Sequence, residues 1–384
     1  MTAALAQSYI RRGMTTQQVL QIKPKKPPIA LIQAVMNLGN AVQRLGLQLI
    51  PPQAAMLQMI NSYRVSQSIC VAAKLGIADL LKDGAKNTDE LAKATGTHAP
   101  SLYRLLRALA SIGVFAETNN GCFELTPLAA TLQSNVPNST KAAAILFGDK
   151  WHWQLWENLL ESVKTGKTAL ELVFDAANPF EYFVDNPEAG YIFDEAMTSN
   201  SATADRAIAC GYDFSQFQTL VDIGGGQGSL LATIVQQHPS LNGVLFDQAA
   251  AIAGAKQKQY FKTELAQRCQ LVVGDFFEAV PVGGDAYILK TVIHDWNDEA
   301  AIAILKNCHR AMVKHGKLLL VELVIPPKNT PSFAKFLDLE MLVMMGGRER
   351  TEAEYQILLK AAGFQLTKII FTASPWSIIE AVSA

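Results

Sequence analysis

The segment 290–298, KTVIHDWND, places a histidine among acids directly after a short apolar run. An imidazole has an ordinary pKa of about 6.5. His294 can therefore accept a proton at a pH where a phenol, with a pKa of about 10, is still protonated and a poor nucleophile. The segment is a candidate for general-base chemistry. The remaining histidines lie in turn or helix patterns and are interpreted as structural: His98, His152, His238, His309 and His315.

A second candidate site is the glycine-rich segment GGGQG at 224–228, which follows an apolar run and precedes a helical pattern. Glycines let the backbone approach a ligand closely, and open α/β sheets bind ligands beyond the carboxyl ends of their strands. The dinucleotide fingerprint GxGxxG requires Gly or Ala where this chain has Ser229. The order GxGxG preceded by Asp222 is instead typical of S-adenosylmethionine sites, with Gly224 and Gly226 in contact with the cofactor.

Acidic residues also follow the next two predicted strands. Asp247 ends the second strand, where a carboxylate can accept hydrogen bonds from both ribose hydroxyls and discriminate against a 2′-phosphate. Asp275 follows the third strand, where it is expected to hold the adenine amino group while Phe276 packs on the ring. Each acid alone can be a loop residue or a helix cap. With Asp222, however, acids lie at three successive strand ends, and this favours a nucleoside site.

The elements that must position these residues are strands alternating with helices from residue 219 onward. Near-continuous apolar strands joined by helices predict a mostly parallel α/β sheet covered on both faces. The predicted strands are 219–223, 243–246, 270–273, 286–289 and 317–324, followed by a helix over 351–362 and two last strands over 365–371 and 377–382.

The segment 62–125 predicts a winged-helix unit, with two helices joined by a turn and followed by a hairpin. Asn87 and Glu90 have the spacing of a capping box, and Asn120-Gly121 is a hairpin signal. A winged helix raises the hypothesis of DNA binding. The predicted recognition helix is mostly apolar, however, and this favours packing or dimerisation over groove readout.

The first fifty residues are predicted to lie outside the main body. The segment 23–28, KPKKPP, predicts an extended linker. Residues 30–49 are apolar at helical spacing, which predicts a helix buried against the body or a partner subunit. An interfacial membrane helix is the alternative, but one Arg and no Lys weaken it. Residues 126–215 are predicted to be helical, with aromatic runs at 151–156 and 180–183.

Composition narrows the functional classes. The chain has 384 residues with a formal net charge of −1, so its overall charge gives no reason to expect nucleic acid or an anionic membrane as a partner. Its five cysteines are scattered without metal-ligand spacing, so neither zinc nor a disulfide framework is expected. No secretory signal and no apolar run of about 18 residues is evident, and a cytoplasmic protein is expected.

Three motifs together resemble the caffeate- and flavonoid-type O-methyltransferases and their bacterial natural-product relatives. They are the VDxGGGxG loop at 221–228, His-Asp-Trp-x-Asp at 294–298, and GG[KR]ERT at 346–351. The resemblance covers roughly residues 55–384. It implies a Rossmann-like class I methyltransferase domain with a seven-stranded, mostly parallel sheet, an N-terminal all-α winged-helix dimerisation domain, and a homodimer. The implied domains are an extension (1–50), a dimerisation domain (51–125), a helical substrate-lining region (126–215) and a domain that binds S-adenosylmethionine (216–384).

The resemblance also implies roles for individual residues. His294 would be the general base, with Glu322 and Glu349 beside its ring and Asp295 fixing the loop. Lys290 would contact the adenine end of the cofactor. Residues that would line the acceptor pocket are Phe183, Phe193, Met197, Trp296 and Met341. The chain departs from the plant enzymes at Pro179, Phe183 and Met345, so their substrates are not expected.

The sequence therefore predicts a methyltransferase that acts on a phenolic hydroxyl of a small aromatic secondary metabolite, with S-adenosylmethionine as the donor and no metal. One alternative keeps the fold and cofactor but methylates nitrogen or carbon, or catalyses a hydroxylase- or pericyclase-like reaction. Another is a regulator that binds DNA through its winged helix.

Overall fold

The computed structural model describes residues 29–262 and 264–384, and the predicted linker at 23–28 lies outside this part of the chain. The chain divides into two compact units, residues 1–50 and 51–384. The described part of the first unit contains one long helix, α1 (Ile29–Gln48), as the apolar spacing predicts. Four of its apolar side chains are exposed: Val35, Leu38, Val42 and Leu45. The prediction that this helix is buried against the body or a partner subunit stays a prediction.

The second unit begins with a helix–turn–helix and hairpin arrangement, as predicted. Asn87 and Glu90 form the predicted capping box, each accepting the other's backbone N–H at 2.9 Å. The hairpin strands pair with a third short strand in the order β1-β3-β2. The elements are α2 (Pro52–Ile60), α3 (Tyr63–Lys74), α4 (Ile77–Leu80), β1 (Lys86–Asn87), α5 (Thr88–Thr95), α6 (Ala99–Ser111), β2 (Phe115–Glu117) and β3 (Cys122–Leu125).

The predicted recognition helix, α6, uses its apolar face to build the core of this region. Leu102, Leu106 and Leu109 are at most 3% exposed and pack with Phe115 and Phe123 of the hairpin. One face of the helix is thus committed to packing, as its leucine spacing predicts.

A helical region connects the hairpin to the large sheet. Its last helix, α13, is 25 residues long and packs against the sheet. The elements are α7 (Pro127–Ala130), α8 (Lys141–Gly148), α9 (Lys150–Glu157), α10 (Leu159–Thr165), α11 (Ala169–Phe174), α12 (Pro179–Asp185) and α13 (Pro187–Gly211).

The large sheet has seven strands in the order β11-β12-β8-β7-β4-β5-β6, and only β12 runs antiparallel to its neighbours. Crossover connections place helices on both faces, as predicted. The elements are β4 (Thr219–Ile223), α14 (Ser229–Gln237), β5 (Asn242–Asp247), α15 (Ala249–Gln257), β6 (Cys269–Val273), β7 (Ala286–Lys290), α16 (Asp298–Ala311), β8 (Lys317–Glu322), α17 (Ala334–Glu340), α18 (Glu352–Ala361), β11 (Phe364–Phe371) and β12 (Ser377–Ser383).

Successive residues of the central strands belong to two separate cores. In β4, Leu220 packs with α13 and α14, whereas Val221 packs with α16 and α18. In β8, Leu319 and Leu320 divide in the same way. Because side chains alternate between the faces of a strand, a strand buried on both faces is apolar throughout. This explains why these strands lack an alternating polar pattern.

The predicted strand over 317–324 is interrupted after Glu322. Two residues, β9 (Val324–Ile325), pair in parallel with β10 (Arg350–Thr351) in a separate two-stranded sheet. This short pairing joins the end of β8 to the GGRERT motif. A π-helical turn over Met341–Met345 precedes that motif. Within the described residues, no helix is both long and apolar enough to span a membrane.

Candidate active site

The glycine loop after β4 packs closely against neighbouring side chains on one side and is open on the other. Gly224, Gly226 and Gly228 have φ between +59° and +79°, the left-handed region that favours glycine. A Cβ on Gly225 would lie 2.5 Å from the side chain of Leu245, whereas a Cβ on Gly226 would meet nothing within 4 Å. The loop therefore has one side packed on the protein and an open side where a ligand can approach.

Asp247 is tied to this loop. Its carboxylate accepts the N–H of Gly226 at 2.7 Å and the N–H of Gln248 at 2.6 Å, one on each oxygen. Burial raises the pKa of Asp247, and the two N–H groups oppose that shift. Each oxygen keeps a further lone pair, so the carboxylate can also accept from a ribose diol.

Asp222, at the base of the loop, has unsatisfied hydrogen-bonding capacity. It is 1% exposed, and neither carboxylate oxygen has a hydrogen-bond partner. Burial raises the pKa of Asp222 to about 7, although the charge of Lys290 opposes the shift. A buried carboxylate without a partner is costly, and a ligand that carries an ammonium group would stabilise it. The loop and this acid fit S-adenosylmethionine, whose methionine part has such a group.

Lys290 and Asp275 have partners that sequence reasoning did not identify. The Lys290 Nζ lies 2.5 Å from Asp205 of α13, which also accepts the Ser229 hydroxyl at 2.6 Å. Asp275 is exposed and accepts the N–H of Phe277 at 2.8 Å. The ring of Phe276 lies 3.7 Å from the Cβ position of Gly224, beside the loop. The expected adenine contacts of these residues stay predictions.

His294 lies in a 3-10 turn after β7 and is 7% exposed. Its Nδ1 is 2.7 Å from Glu349 Oε1 and 3.8 Å from Glu322 Oε2. Its Nε2 is 3.3 Å from Asp295 Oδ1. The structure therefore brings the four predicted catalytic residues together. Because two carboxylates face Nδ1, that nitrogen keeps its proton when the ring is neutral, and Nε2 is the nitrogen that gains or loses one.

The charges around His294 dominate its protonation. Burial lowers its pKa, but the carboxylates of Glu322, Asp295 and Glu349 outweigh burial and raise the pKa to about 10. Burial in turn raises the pKa of Glu322 to about 7 and that of Asp295 to about 6, against the charge of the imidazolium. The pKa values of His294, Glu322 and Asp295 thus depend on one another, and the imidazolium is strongly favoured.

The loop that carries His294 is anchored by hydrogen bonds to Glu322 and includes one residue with a left-handed backbone conformation. Glu322 is fully buried, and its Oε1 accepts the N–H groups of Val292 and Ile293 at 3.2 and 2.9 Å. Thr291 has a φ of +52°, a conformation that L side chains rarely adopt. Glu322 therefore fixes the turn as well as facing the ring, a second role that the sequence did not reveal.

The GGRERT motif packs directly on the histidine loop. A Cβ on Gly347 would lie 2.0 Å from the His294 carbonyl oxygen, so only glycine allows this approach. Arg350 is fully buried and donates to the carbonyl oxygens of Ile293 and Trp296 at 3.0 and 2.9 Å. It also binds Asp298 at 2.8 Å. Sequence reasoning missed Gly347, Arg350 and Asp298, because a motif does not show which of its charges are buried.

The predicted acceptor-pocket residues are brought together only in part. The rings of Phe183 and Phe193 lie 5.2 Å apart and share one apolar cluster with Trp151. Trp296 stands apart from them, edge-on to Phe276 at 6.0 Å. Two further predicted residues lie outside the Phe183–Phe193 cluster: Met341 is buried and Met197 is 38% exposed.

A second buried histidine–carboxylate pair lies beside this apolar cluster. The His152 Nε2 is 2.7 Å from Glu340 Oε1, and the Trp156 indole donates to Glu340 Oε2 at 2.8 Å. The pair joins α9 to the end of α17, immediately before the π-helical turn. His152 therefore has a structural partner, which sequence reasoning did not find because 188 residues separate the two.

His294, Glu322 and Glu349 also form a set that could hold a metal ion, since their ligand atoms lie within 4.8 Å of one another. Imidazole and carboxylate are common ligands of divalent cations. Each has a hydrogen bond or ion pair within the protein, although Oε2 of each glutamate has no hydrogen-bond partner. The same three residues can thus serve in proton transfer or in metal binding, and treatment with a chelator distinguishes these two roles.

Comparison with known proteins places the chain in a family. The family models for an O-methyltransferase domain and an O-methyltransferase dimerisation domain match residues 156–365 and 57–135. The chain is 47% identical over 332 residues to the phenazine O-methyltransferase PhzM of Lysobacter antibioticus, covering 86% of this chain and 96% of that protein. It is 34% identical over 338 residues to an 8-amino-8-demethylriboflavin N,N-dimethyltransferase of Streptomyces davaonensis, covering 86% and 96%.

Solved structures agree with the sequence comparison. The crystal structure of LaPhzM matches with a TM-score of 0.82 and 46% identity, covering 87% of this chain and all of that chain. The chain therefore belongs to the O-methyltransferase family, in which S-adenosylmethionine is the methyl donor. It combines a methyltransferase fold with an N-terminal dimerisation domain and is an enzyme of this family.

Proposed function

We propose that this enzyme methylates a phenolic hydroxyl of a small aromatic metabolite, with His294 as the general base. The observation that carries the proposal is the 2.7 Å contact between the His294 Nδ1 and Glu349, because it leaves Nε2 as the nitrogen that exchanges a proton. Bound S-adenosylmethionine supplies an electrophilic methyl group on a sulfonium. Nε2 would take the hydroxyl proton as the acceptor oxygen bonds to the methyl carbon. The bond from that carbon to sulfur would break and leave a neutral thioether, while Glu349 and Glu322 would stabilise the imidazolium.

The raised pKa of His294 has a consequence for this role. An imidazole with a pKa of about 10 is mostly protonated at neutral pH and must lose its proton before it acts as a base. A sulfonium bound near the ring adds a positive charge, and a like charge lowers the pKa of an imidazolium. Cofactor binding is therefore expected to lower the pKa of His294 and ready it to accept the phenolic proton.

The residues around the glycine loop fit the rest of the cofactor. Asp247 would accept the ribose hydroxyls with the lone pairs that its backbone N–H donors leave free. Asp222 would accept the ammonium of the methionine part. Phe276 would pack on the adenine ring, with Asp275 at its amino group and Lys290 at the same end of the site. Gly224 and Gly226 would lie against the cofactor.

The acceptor class follows from the side chains near the predicted pocket. Aromatic and methionine side chains suit a planar, apolar molecule, and Phe183, Phe193, Met197, Trp296 and Met341 would line its site. The phenazine O-methyltransferase to which the chain is 47% identical supports a fused aromatic acceptor with a hydroxyl. We further propose that the protein acts as a homodimer, as the dimerisation domain at 57–135 supports.

Methylation of an aromatic amine is a second candidate function. The relative that is named an N,N-dimethyltransferase, 34% identical to this chain, supports it, because the same fold then serves a nitrogen nucleophile. An aromatic amine needs a base only to remove a proton after or during transfer. This alternative therefore predicts a weaker dependence on His294 than the phenolic reaction does.

A screen of acceptors with labelled S-adenosylmethionine tests the function. Hydroxyphenazines, naphthols, catechols and the matching aromatic amines would be incubated with the enzyme, and each product would be located by mass analysis. We expect label on a hydroxyl oxygen of a fused aromatic compound. Label on nitrogen alone would favour the second candidate. Turnover without methyl transfer would overturn both.

A further inference from the structure

The α1 helix carries a repeat that the methyltransferase function does not use. From residue 31 to 49, apolar residues recur at alternating spacings of four and three, the spacing of a coiled-coil heptad. The first heptad position is occupied by valine or leucine and the fourth by leucine throughout: Val35, Val42 and Leu49, and Leu31, Leu38 and Leu45.

In the structure, Val35, Leu38, Val42 and Leu45 lie along one face of α1, and Leu49 directly follows the end of the helix. Val35, Leu38 and Val42 are 62%, 65% and 60% exposed, and Leu45 and Leu49 are 55% and 76% exposed. Residues spaced by three and four share one face of a helix, so the stripe is continuous. A contiguous exposed apolar stripe of this kind marks an interaction surface.

The repeat specifies what covers the stripe. Valine at the first heptad position with leucine at the fourth favours two parallel strands. The flanking positions hold small residues, Ala34, Gly39, Ala41 and Gly46, which allow helices to approach closely, and Arg44 is the one charged residue from 29 to 49. A stripe without flanking charges does not select a different partner by electrostatics, whereas an identical helix is complementary to it.

The α1 helix directly precedes the dimerisation domain, so a homodimer would place two α1 helices in one assembly. The match to the dimerisation domain begins at residue 57, soon after α1 ends at Gln48. In a homodimer, two α1 helices are thus tethered to the same assembly, and tethering raises their effective concentration. A pair of 20-residue helices that is marginal as free peptides can then form.

We propose that α1 pairs with α1 of a second copy of this chain in a parallel two-stranded coiled coil, an inference that rests on the proposed homodimer. The pairing would clamp the dimer from its N-terminal side. It would also explain why five apolar residues of α1, and Leu49 directly after it, follow one heptad register.

Cysteine cross-linking in the full chain tests the coil. In a background with the exposed Cys210 changed to serine, Val42→Cys places a thiol in the seam, and Gln43→Cys places one on the adjoining face. On mild oxidation, we expect Val42→Cys to form a disulfide-linked dimer severalfold faster than Gln43→Cys. Leu45→Cys, at the next seam position, should behave like Val42→Cys, and it replaces that variant if Val42→Cys does not fold.

Sedimentation of the same reduced variants separates the coil from the homodimer. If the variants sediment as dimers but Val42→Cys and Gln43→Cys cross-link at equal rates, or not at all, the coil would be overturned and the homodimer retained. If the reduced variants sediment as monomers, both the coil and the homodimer would be overturned. Binding of the full chain to phosphatidylcholine vesicles, lost in Leu38→Lys but not in Gln43→Lys, would show that a lipid surface covers the stripe and would overturn the coil.

Discussion

At the scale of single residues, the proposed reaction depends on how readily the cluster around His294 releases and accepts a proton. Three carboxylates surround one imidazole in a buried site and raise its pKa, so removal of any one of them lowers the affinity of the imidazole for a proton. Glu349 makes the shortest contact, at 2.7 Å, and orients the ring through Nδ1. The identities of these residues were predictable from the motifs, but the 3.8 Å position of Glu322 and its hold on the loop backbone were not.

The pH dependence of turnover should report the pKa of His294. A base must be unprotonated, so kcat/KM should rise with pH through the pKa of His294, which is about 10 in the free protein and is expected to be lower with the cofactor bound. Glu349→Gln removes a negative charge that favours the imidazolium, and the rising limb should move to lower pH. Glu349→Asp, which keeps the charge, is the control. If the rising part of the pH profile does not move in Glu349→Gln, Glu349 does not raise the pKa of His294.

Cofactor affinity should depend on Asp247. Asp247→Asn keeps the size of the side chain but replaces a charged acceptor, so calorimetry should show weaker binding of S-adenosylmethionine by about tenfold or more. The exposed Asp83→Asn serves as the matched control. Wild-type affinity in Asp247→Asn would contradict the ribose assignment.

A chelator distinguishes proton transfer from metal chemistry at the same residues. The His294, Glu322 and Glu349 atoms could hold a cation, but hydrogen bonds already use one nitrogen and two carboxylate oxygens. Dialysis against EDTA should therefore leave turnover unchanged. A loss that zinc or magnesium restores would show that the cluster holds a metal.

At the scale of elements, the active site is built where the ends of β7 and β8 meet the GGRERT motif. Apolar periodicity predicted those strands well, because both of their faces are buried. It did not predict that β8 would stop at Glu322 and that β9 would pair with β10. That pairing depends on contacts between segments far apart in sequence, which periodicity does not contain. The buried Arg350, which binds two loop carbonyls, was missed for the same reason.

Gly347→Ala should move the histidine loop without touching the cofactor site. The added Cβ would lie 2.0 Å from the His294 carbonyl oxygen, so the loop or the motif must shift. We expect kcat to fall by about 10²-fold while S-adenosylmethionine affinity changes little. Gly254→Ala on α15, where a Cβ would lie 3.4 Å from the nearest atom, is the control. Equal kcat in the two variants would show that the close packing is not needed.

The His152–Glu340 pair should contribute to stability rather than to chemistry. His152→Phe leaves a buried carboxylate with one fewer partner, and we expect unfolding in urea to require about 1–3 kcal/mol less free energy. His315→Asn, at an exposed position with a φ of +71°, is the control for the free energy of unfolding. Unchanged stability with a reduced kcat would instead assign His152 to the reaction.

At the scale of the whole molecule, the winged-helix region and the methyltransferase sheet differ in how readily the sequence revealed them. The capping box at Asn87 and the hairpin turn at Gly121 identified the first from local signals alone. The family resemblance implied a seven-stranded, mostly parallel sheet, but the strand order and the antiparallel β12 were not predicted, since strand order is a property of non-local pairing. The exposure of α1 was not predicted, because apolar spacing describes a helix face but not what covers it.

Removal of residues 1–125 should disrupt the homodimer. The deletion takes away the dimerisation domain and uncovers Ala144 and Ile145, which pack against its core. Sedimentation of the truncated chain should show monomers or aggregates. A well-behaved dimer of residues 126–384 would mean that the subunits associate through another surface.

Single-turnover methyl transfer by His294→Ala tests the general-base role most directly. With the acceptor that the screen identifies and saturating S-adenosylmethionine, we expect the rate to fall by about 10²–10⁴-fold at neutral pH, while calorimetry shows little change in cofactor affinity. His315→Asn should retain the wild-type rate. A wild-type rate in His294→Ala would contradict the role of the buried imidazole as the base.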